Sequence, residues 1–332
     1  MRATQTMIDA ALAGMTHVLD LVPSDQVLII TDEATSICGH AFHQAAIEYG
    51  CSSVLYQLPE EHRPLQKMPD DMHPLLDGKS IVINAIVGDA REIPFRLEWI
   101  FKVEAAPKVR MGHSPGINAE MMTAGPLNVD YGAMKKMGDF LIKGFEKAAS
   151  VHISTKLGTD LILDLMDREM VSDLKAVPGT GANLPCGEVY CCPVETGANG
   201  TLIIDGCFGS CGIVPSPVTF KLQNGQVVHI GCDDQATLEQ VTSLLDTDDG
   251  SRTIAELGIG LNPGARLSDN MLEAEKVQGT AHIAFGSNQG MPGGQNKSQT
   301  HIDYLFRAPT IVVTEQGGNT RTVMQDGKTA DI

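Results

Sequence analysis

Val27-Leu-Ile-Ile-Thr31-Asp32-Glu33 is the stretch on which the fold reading turns. A short, unbroken apolar run closed by polar residues is the pattern of a strand covered on both faces, as strands of parallel sheets are. A helical pattern follows to about Tyr49. Ser53-Val-Leu-Tyr56 and Ile81-Val-Ile-Asn-Ala-Ile86 then repeat the strand form. Upstream, Met7, Ile8, Ala11, Leu12, Met15, Val18 and Leu19 fall at helical spacing. Downstream, 91–104 is helical again, Val109-Arg-Met111 reads as a strand, and Asp130 to Ala148 forms an amphipathic helix. Strands alternating with helices predict an α/β domain over 1–150 with a mainly parallel sheet and helices on both faces.

Beyond residue 150 the pattern changes. Val151-His-Ile-Ser-Thr155, Asp160-Leu-Ile-Leu-Asp-Leu165, Gly200-Thr-Leu-Ile-Ile-Asp205, Val218-Thr-Phe-Lys-Leu222 and Val227-Val-His-Ile230 are strands separated by glycine or asparagine turns. Helical spacing is limited to 235–245, 270–276 and 166–173. Of the 34 glycines, 23 lie after residue 150. A mainly β (α+β) domain over 151–332 is therefore expected, with the boundary at 148–152.

Charge narrows the partners. The 332 residues carry 24 Lys+Arg against 41 Asp+Glu, a net charge of −17. Phosphate-rich surfaces repel such a chain, so nucleic acid and anionic membranes are not expected partners. No 18-residue apolar run is present to span a membrane, and the N-terminal stretch lacks a secretory pattern. A cytoplasmic location follows as an expectation, and the eight cysteines read as free thiols. Gly39 stands alone after the first strand, without the glycine fingerprint that cradles a dinucleotide. No Gly-x-Ser-x-Gly elbow marks a serine hydrolase.

The chemistry gathers in the second half. In His301-Ile-Asp303 an imidazole and a carboxylate two residues apart share one face of an extended segment. They fit either a shared cation or a hydrogen-bonded pair. Gly290-Met-Pro-Gly-Gly-Gln-Asn-Lys-Ser298 ahead of them reads as a flexible rim. His282 sits alone among small and apolar residues in Gly279-Thr-Ala-His-Ile-Ala-Phe-Gly286, as a ligand or a core histidine. Glu188 follows a Pro-x-Gly turn, and Glu256 lies inside the glycine-rich run Ile254-Ala-Glu-Leu-Gly-Ile-Gly-Leu-Asn-Pro263. Carboxylates in apolar company are costly unless paired or coordinated. Two histidines and three carboxylates suit two divalent ions sharing a bridging carboxylate. Cys186, two residues before Glu188, is placed to line the site. Asp32-Glu33 sit where α/β sheets commonly meet ligands. His40 and His43 read as an exposed helix face, and Asp246–Asp249 as a solvated loop.

Gly158-Thr-Asp-Leu161, Asn183-Leu-Pro-Cys-Gly-Glu-Val-Tyr190, Glu256, His282-Ile-Ala-Phe-Gly286 and Asn296-Lys-Ser-Gln-Thr-His-Ile-Asp303, in this order, resemble the dinuclear metallopeptidase family of aminopeptidase T and aminopeptidase S. The resemblance covers about 150–310, and the first half only in its α/β pattern. It implies metal ligation by Glu188, Glu256, His282, His301 and Asp303, with catalytic roles for Glu188 and Glu256. It also implies two divalent ions (zinc, cobalt or manganese), a cytosolic homodimer, and a small-molecule or short peptide substrate. One departure stands out. Where the family has a tyrosine seven residues after the first histidine, this chain has Gln289, which donates a hydrogen bond but transfers no proton.

A more distant resemblance is to the 2,5-dihydroxypyridine ring-cleaving dioxygenases, which implies one iron(II) held by two histidines and an aspartate. Those enzymes have a histidine at the place of Glu256 and lack counterparts of Glu188 and His282; this chain keeps both. The leading expectation is a metal-dependent, aminopeptidase-like hydrolase that cleaves an amide or peptide bond through a metal-bound hydroxide. The alternatives are a non-haem iron dioxygenase, for which His282, His301 and Asp303 would serve, and a non-catalytic metal-binding protein.

Overall fold

The computed structural model describes residues 2–209 and 211–330. Contacts divide the chain into two compact units, Met1–Tyr131 with Asp173–Cys186, and Gly132–Ser172 with Gly187–Ile332.

In the first unit, five parallel strands lie in the order Ser52–Gln57, Gln26–Thr31, Ile81–Ala85, Arg110–His113 and Thr180–Asn183. The apolar runs that announce these strands are buried: Val27 to Ile30 and Ile81 to Ile83 have no exposed surface. Helices Gln5–Val18, Ser36–Glu48 and Ile93–Glu104 connect or flank them. In the first of these helices, Thr4 caps the N-terminus through its hydroxyl, and Met7, Ala11, Met15 and Val18 are buried at i, i+4 and i+3 spacings. The last strand of the sheet comes from the segment 180–183, far along the chain from its neighbours. The sequence pattern does not disclose it, because Thr180-Gly-Ala-Asn183 carries no apolar run.

The second unit holds two antiparallel sheets. One has eight strands, in the order Gln226–Gly231, Val218–Gln223, Ala198–Ile204, Asp160–Asp164, Ala148–Ser154, Thr310–Glu315, Thr320–Gln325 and Lys328–Thr329. The other has five: His301–Arg307, Thr280–Gly286, Ile254–Gly260, Glu188–Cys191 and Val171–Ser172. Helix Tyr131–Gly144 falls with this unit from Gly132 onward. Segment 166–173, expected as a helix, is a turn followed by strand Val171–Ser172. Asp164 accepts the Met166 amide and Asp167 sits at φ 57°, which ends any helical run.

The five-stranded sheet carries the period-two logic that places the candidate site. Leu257, Ile259, Ile283, Phe285, Tyr304 and Phe306 are buried, and Phe285 and Tyr304 pack against Phe220 at ring centroid distances of 5.5 and 5.0 Å. The alternate residues, Glu256, Gly258, His282, Ala284, His301 and Asp303, therefore share the opposite face.

Candidate metal centre

Register brings the five expected residues together. Glu256 pairs across strands with Ala284, which pairs with Asp303; Gly258 pairs with His282; Gly286 pairs with His301; Gly260 pairs with Glu188. Each large donor side chain thus has a small neighbour on the next strand. The clearest case is Gly258, where a Cβ would stand 2.1 Å from the imidazole of His282. The ring occupies the space a side chain at 258 would fill. Before Glu188, Gly187 takes φ +141°, a left-handed conformation that favours glycine.

The donors form two triads. Glu188, Glu256 and His282 offer ligand atoms within 4.8 Å of one another, and so do Glu256, His301 and Asp303. Glu256 belongs to both. His282 Nε2 lies 3.5 Å from Glu188 Oε2 and 3.5 Å from Glu256 Oε1; His301 Nε2 lies 3.1 Å from Glu256 Oε2 and 3.3 Å from Asp303 Oδ1. His301 Nδ1 donates to the Ser287 carbonyl at 2.6 Å, which turns Nε2 toward the carboxylates. A backbone acceptor behind a histidine is the usual way a metal-ligating ring is oriented.

The electrostatics couple the two imidazoles to the carboxylates around them. Burial would lower the His282 pKa, but Glu256, Asp303 and Glu188 push it up to about 9; the same kind of competition holds His301 well above its ordinary value. Burial would raise Glu256 and Asp303, yet the two imidazoles hold both below the ordinary carboxylate range. His282 Nδ1 and Asp303 Oδ1 are buried without a hydrogen-bond partner. Two imidazoles and three carboxylates converging in this way fit divalent-cation binding. Each triad contains one histidine, so a mononuclear site with two histidines and one carboxylate would have to draw on both.

Other residues near the site gave no signal in the sequence. Lys276 is fully buried, and its Nζ donates to Glu188 Oε1 at 2.5 Å and contacts Glu275 Oε1 at 2.6 Å. Burial raises Glu275 to about 7, against the pull of Lys276. Two thiols lie in the field of Glu256: Cys191, raised by burial, and Cys192, pushed up to about 12 by burial and then by that carboxylate. Cys186 is buried and belongs to the first unit. All eight cysteines are free.

Segment 290–298, expected as a flexible rim, is pinned at both ends through residues within it and just outside it. Asn288, only 1% exposed, donates to Glu195 at 3.0 Å and accepts the Asn296 amide at 2.8 Å. Glu195 also accepts the Gln295 amide and pairs with Arg168, which in turn donates to the Gly293 carbonyl. At the far end Asp248, expected in a solvated run, accepts from the Ser298 hydroxyl at 2.8 Å and the Gln299 amide at 2.6 Å. Gln289 is exposed, and Tyr304, next to Asp303, points to the opposite face among Phe208, Phe220 and Phe285.

In the first unit, Asp32 is fully buried and occupied within that unit. It accepts from Arg63 at 2.6 Å, from the Val87 amide at 2.7 Å and from Thr35. Arg63 binds Glu92 with two further nitrogens. The expectation that Asp32 meets a ligand gives way to this buried network. Gln44 and Glu48, on the same helix as His40 and His43, line with those histidines a cavity of about 420 Å³.

A model of the thermophilic metalloprotease (M29) family matches residues 133–329, a span that contains all five donors. The chain belongs to this family. Two curated relatives are similar in sequence. Aminopeptidase T of Thermus aquaticus is 24% identical over 178 residues, 47% of this chain and 42% of that protein. Aminopeptidase 2 of Geobacillus stearothermophilus is 25% identical over 167 residues, 45% and 38% respectively. The chain thus spans less than half the length of the curated relatives it matches. Two solved structures share the fold of this thermophilic metalloprotease family member. The 2,5-dihydroxypyridine dioxygenase of Pseudomonas putida has a TM-score of 0.76 at 16% identity, covering 98% of this chain and 97% of that one. Wild-type AmpT of Thermus thermophilus has 0.73 at 16% identity, covering 98% and 99%. No helix among the described residues is long and apolar enough to cross a membrane.

Proposed function

We propose that the protein is a metal-dependent hydrolase that cleaves an amide or peptide bond of a small substrate, as an aminopeptidase does. The observation that carries this reading is the pair of donor triads joined through Glu256; membership of a metalloprotease family supports it. Glu188, Glu256, His282, His301 and Asp303 are the proposed ligands, with Glu256 bridging. When bound, two divalent ions would polarise the scissile carbonyl and lower the pKa of water at neutral pH. The chain's own part is to hold those donors in place. The Ser287 carbonyl fixes the His301 ring. Glu188 and Glu256 are assigned catalytic roles as the carboxylates that face His282 and would hold, with it, the ion that activates the attacking water. The catalytic work is assigned to the part of the chain after residue 151. A cytoplasmic homodimer acting on short peptides or aminoacyl amides completes the proposal, on the strength of the resemblance to aminopeptidases.

One observation favours a second reading. Gln289 stands exposed where the peptidase family has its tyrosine, and a ring-cleaving dioxygenase shares the fold. Elemental analysis of protein purified without chelator, followed by assay, separates the two. About two zinc, cobalt or manganese ions per chain, with chelator-sensitive release of p-nitroaniline from aminoacyl p-nitroanilides, is the expected result. One iron per chain, with oxygen uptake on dihydroxypyridines and no amide cleavage, would overturn it.

A further inference from the structure

Lys276 follows the short helix Met271–Ala274, in the turn that leads to strand Thr280–Gly286. An ammonium with no exposed surface is costly unless it is paired on every side. Here its Nζ is shared by two carboxylates, Glu188 Oε1 at 2.5 Å and Glu275 Oε1 at 2.6 Å. The two partners stand differently toward the site. Glu188 is a member of one triad with His282, while Glu275 is a member of neither and interacts electrostatically with Asp303 and His282, one from each. Because Lys276 holds Glu188 Oε1, the other oxygen, Oε2, is the one turned toward His282 Nε2, 3.5 Å away.

From this geometry we infer that Lys276 is a positioning residue, which fixes Glu188 as a one-oxygen donor to the cation of the Glu188–Glu256–His282 triad, with Glu275 as its counter-anchor. The inference rests on the metal-site reading above. It differs from simple charge balance in a testable way. A counter-charge acts on both ions, whereas a strut on Glu188 acts on one.

The test uses the full chain, freed of metal and titrated with cobalt(II) and with zinc, followed by calorimetry and by the visible absorption of cobalt. His282→Ala and Asp303→Asn assign the signal of each ion. The decisive variant combines Lys276→Met with Glu275→Gln. At pH 8.5, above the Glu275 pKa of about 7, it removes one positive and one negative charge, so the net charge of the cluster is unchanged. Positioning predicts that the ion of the Glu188 triad binds about 10–100-fold more weakly with an altered cobalt spectrum, while the other ion binds as in the wild type. Two ions bound with wild-type affinity, or an equal loss on both, would overturn the inference.

Glu275→Gln alone is the milder variant, for use should the double variant not fold. It should also weaken the ion of the Glu188 triad, although Glu275 faces Asp303; a loss confined to the Asp303 ion refutes the role. A wild-type chain that takes up no divalent ion would remove the metal reading and this inference together. Two ions in the wild type with indifferent variants would remove this inference only.

Discussion

Gly258 and His282 face each other on adjacent antiparallel strands, and the imidazole of one lies in the volume that a Cβ on the other would occupy, 2.1 Å away. A glycine in the middle of a buried strand is otherwise unfavourable. Its cost here is set against a fixed place for the His282 ring, a proposed metal ligand. Gly258→Ala should displace His282 while leaving the apolar face of the sheet in place. The expected outcome is a folded protein in which one of the two divalent ions binds at least about 10-fold more weakly. Metal titration with a thermal melt in parallel checks this. Wild-type affinity for both ions in a folded Gly258→Ala protein would show that the ring has room to move.

Glu256 is shared by both triads, so its loss should differ in kind from that of the other ligands. Glu256→Gln should impair binding of both ions, whereas Glu188→Gln should impair mainly one. Amide hydrolysis should fall by at least about 10–100-fold in Glu256→Gln, the scale on which even the outer partners of a metal site cost activity. Ion content by elemental analysis, read beside the hydrolysis rate, decides the matter. A Glu256→Gln protein that keeps two tightly bound ions would mean that the carboxylate does not bridge.

The anchoring of segment 287–300 gives a prediction about order rather than chemistry. Asn288 is buried and ties Glu195 and the Asn296 amide together. Asn288→Ala leaves the Asn296 amide without its partner and takes one of several donors from Glu195, at a cost of about 1–3 kcal/mol. The segment should then become sensitive to limited proteolysis between 289 and 296, with little change in the far strands. Unchanged protease resistance would place the anchoring in Arg168 and Asp248 instead.

Much of this was legible in the residues. The apolar runs at 27–31 and 81–86 announce buried parallel strands, because short, β-branched apolar runs closed by polar residues suit strands covered on both faces. His301 and Asp303 announce a shared face because a strand repeats every two residues. What stayed hidden depended on distant pairing. Strand Thr180–Asn183 has no apolar signature and joins the parallel sheet only through tertiary pairing with Arg110–His113. Lys276 reads as one more charged residue on a short helix; its burial follows from Glu188, 88 positions away in sequence. The loop 290–298 looks mobile from its glycines, since the Glu195 and Asp248 carboxylates that pin it lie in other segments.

The buried network of the first unit yields a pH prediction whose sign is fixed. Burial alone would raise the Asp32 pKa, but the Val87 amide, the Arg63 guanidinium and Thr35 outweigh it and hold the carboxyl below its ordinary value. A group with a lowered folded-state pKa takes up its proton more readily in the unfolded chain. Its stabilisation is therefore complete above the ordinary carboxylate pKa of about 4 and is lost as the pH falls through that value toward the folded one. Arg63→Met would leave Asp32 and Glu92 buried without their cation, which should cost about 3–5 kcal/mol at neutral pH. Asp32→Asn removes the titrating group itself, so the stability gap between wild type and Asp32→Asn should be widest at pH 6–7 and should narrow on acidification. Urea unfolding of both proteins from pH 7 down to pH 3.5 measures that gap. A gap that stays constant across the range would mean that the Asp32 carboxyl has the same proton affinity folded and unfolded, and that the network contributes through shape rather than charge.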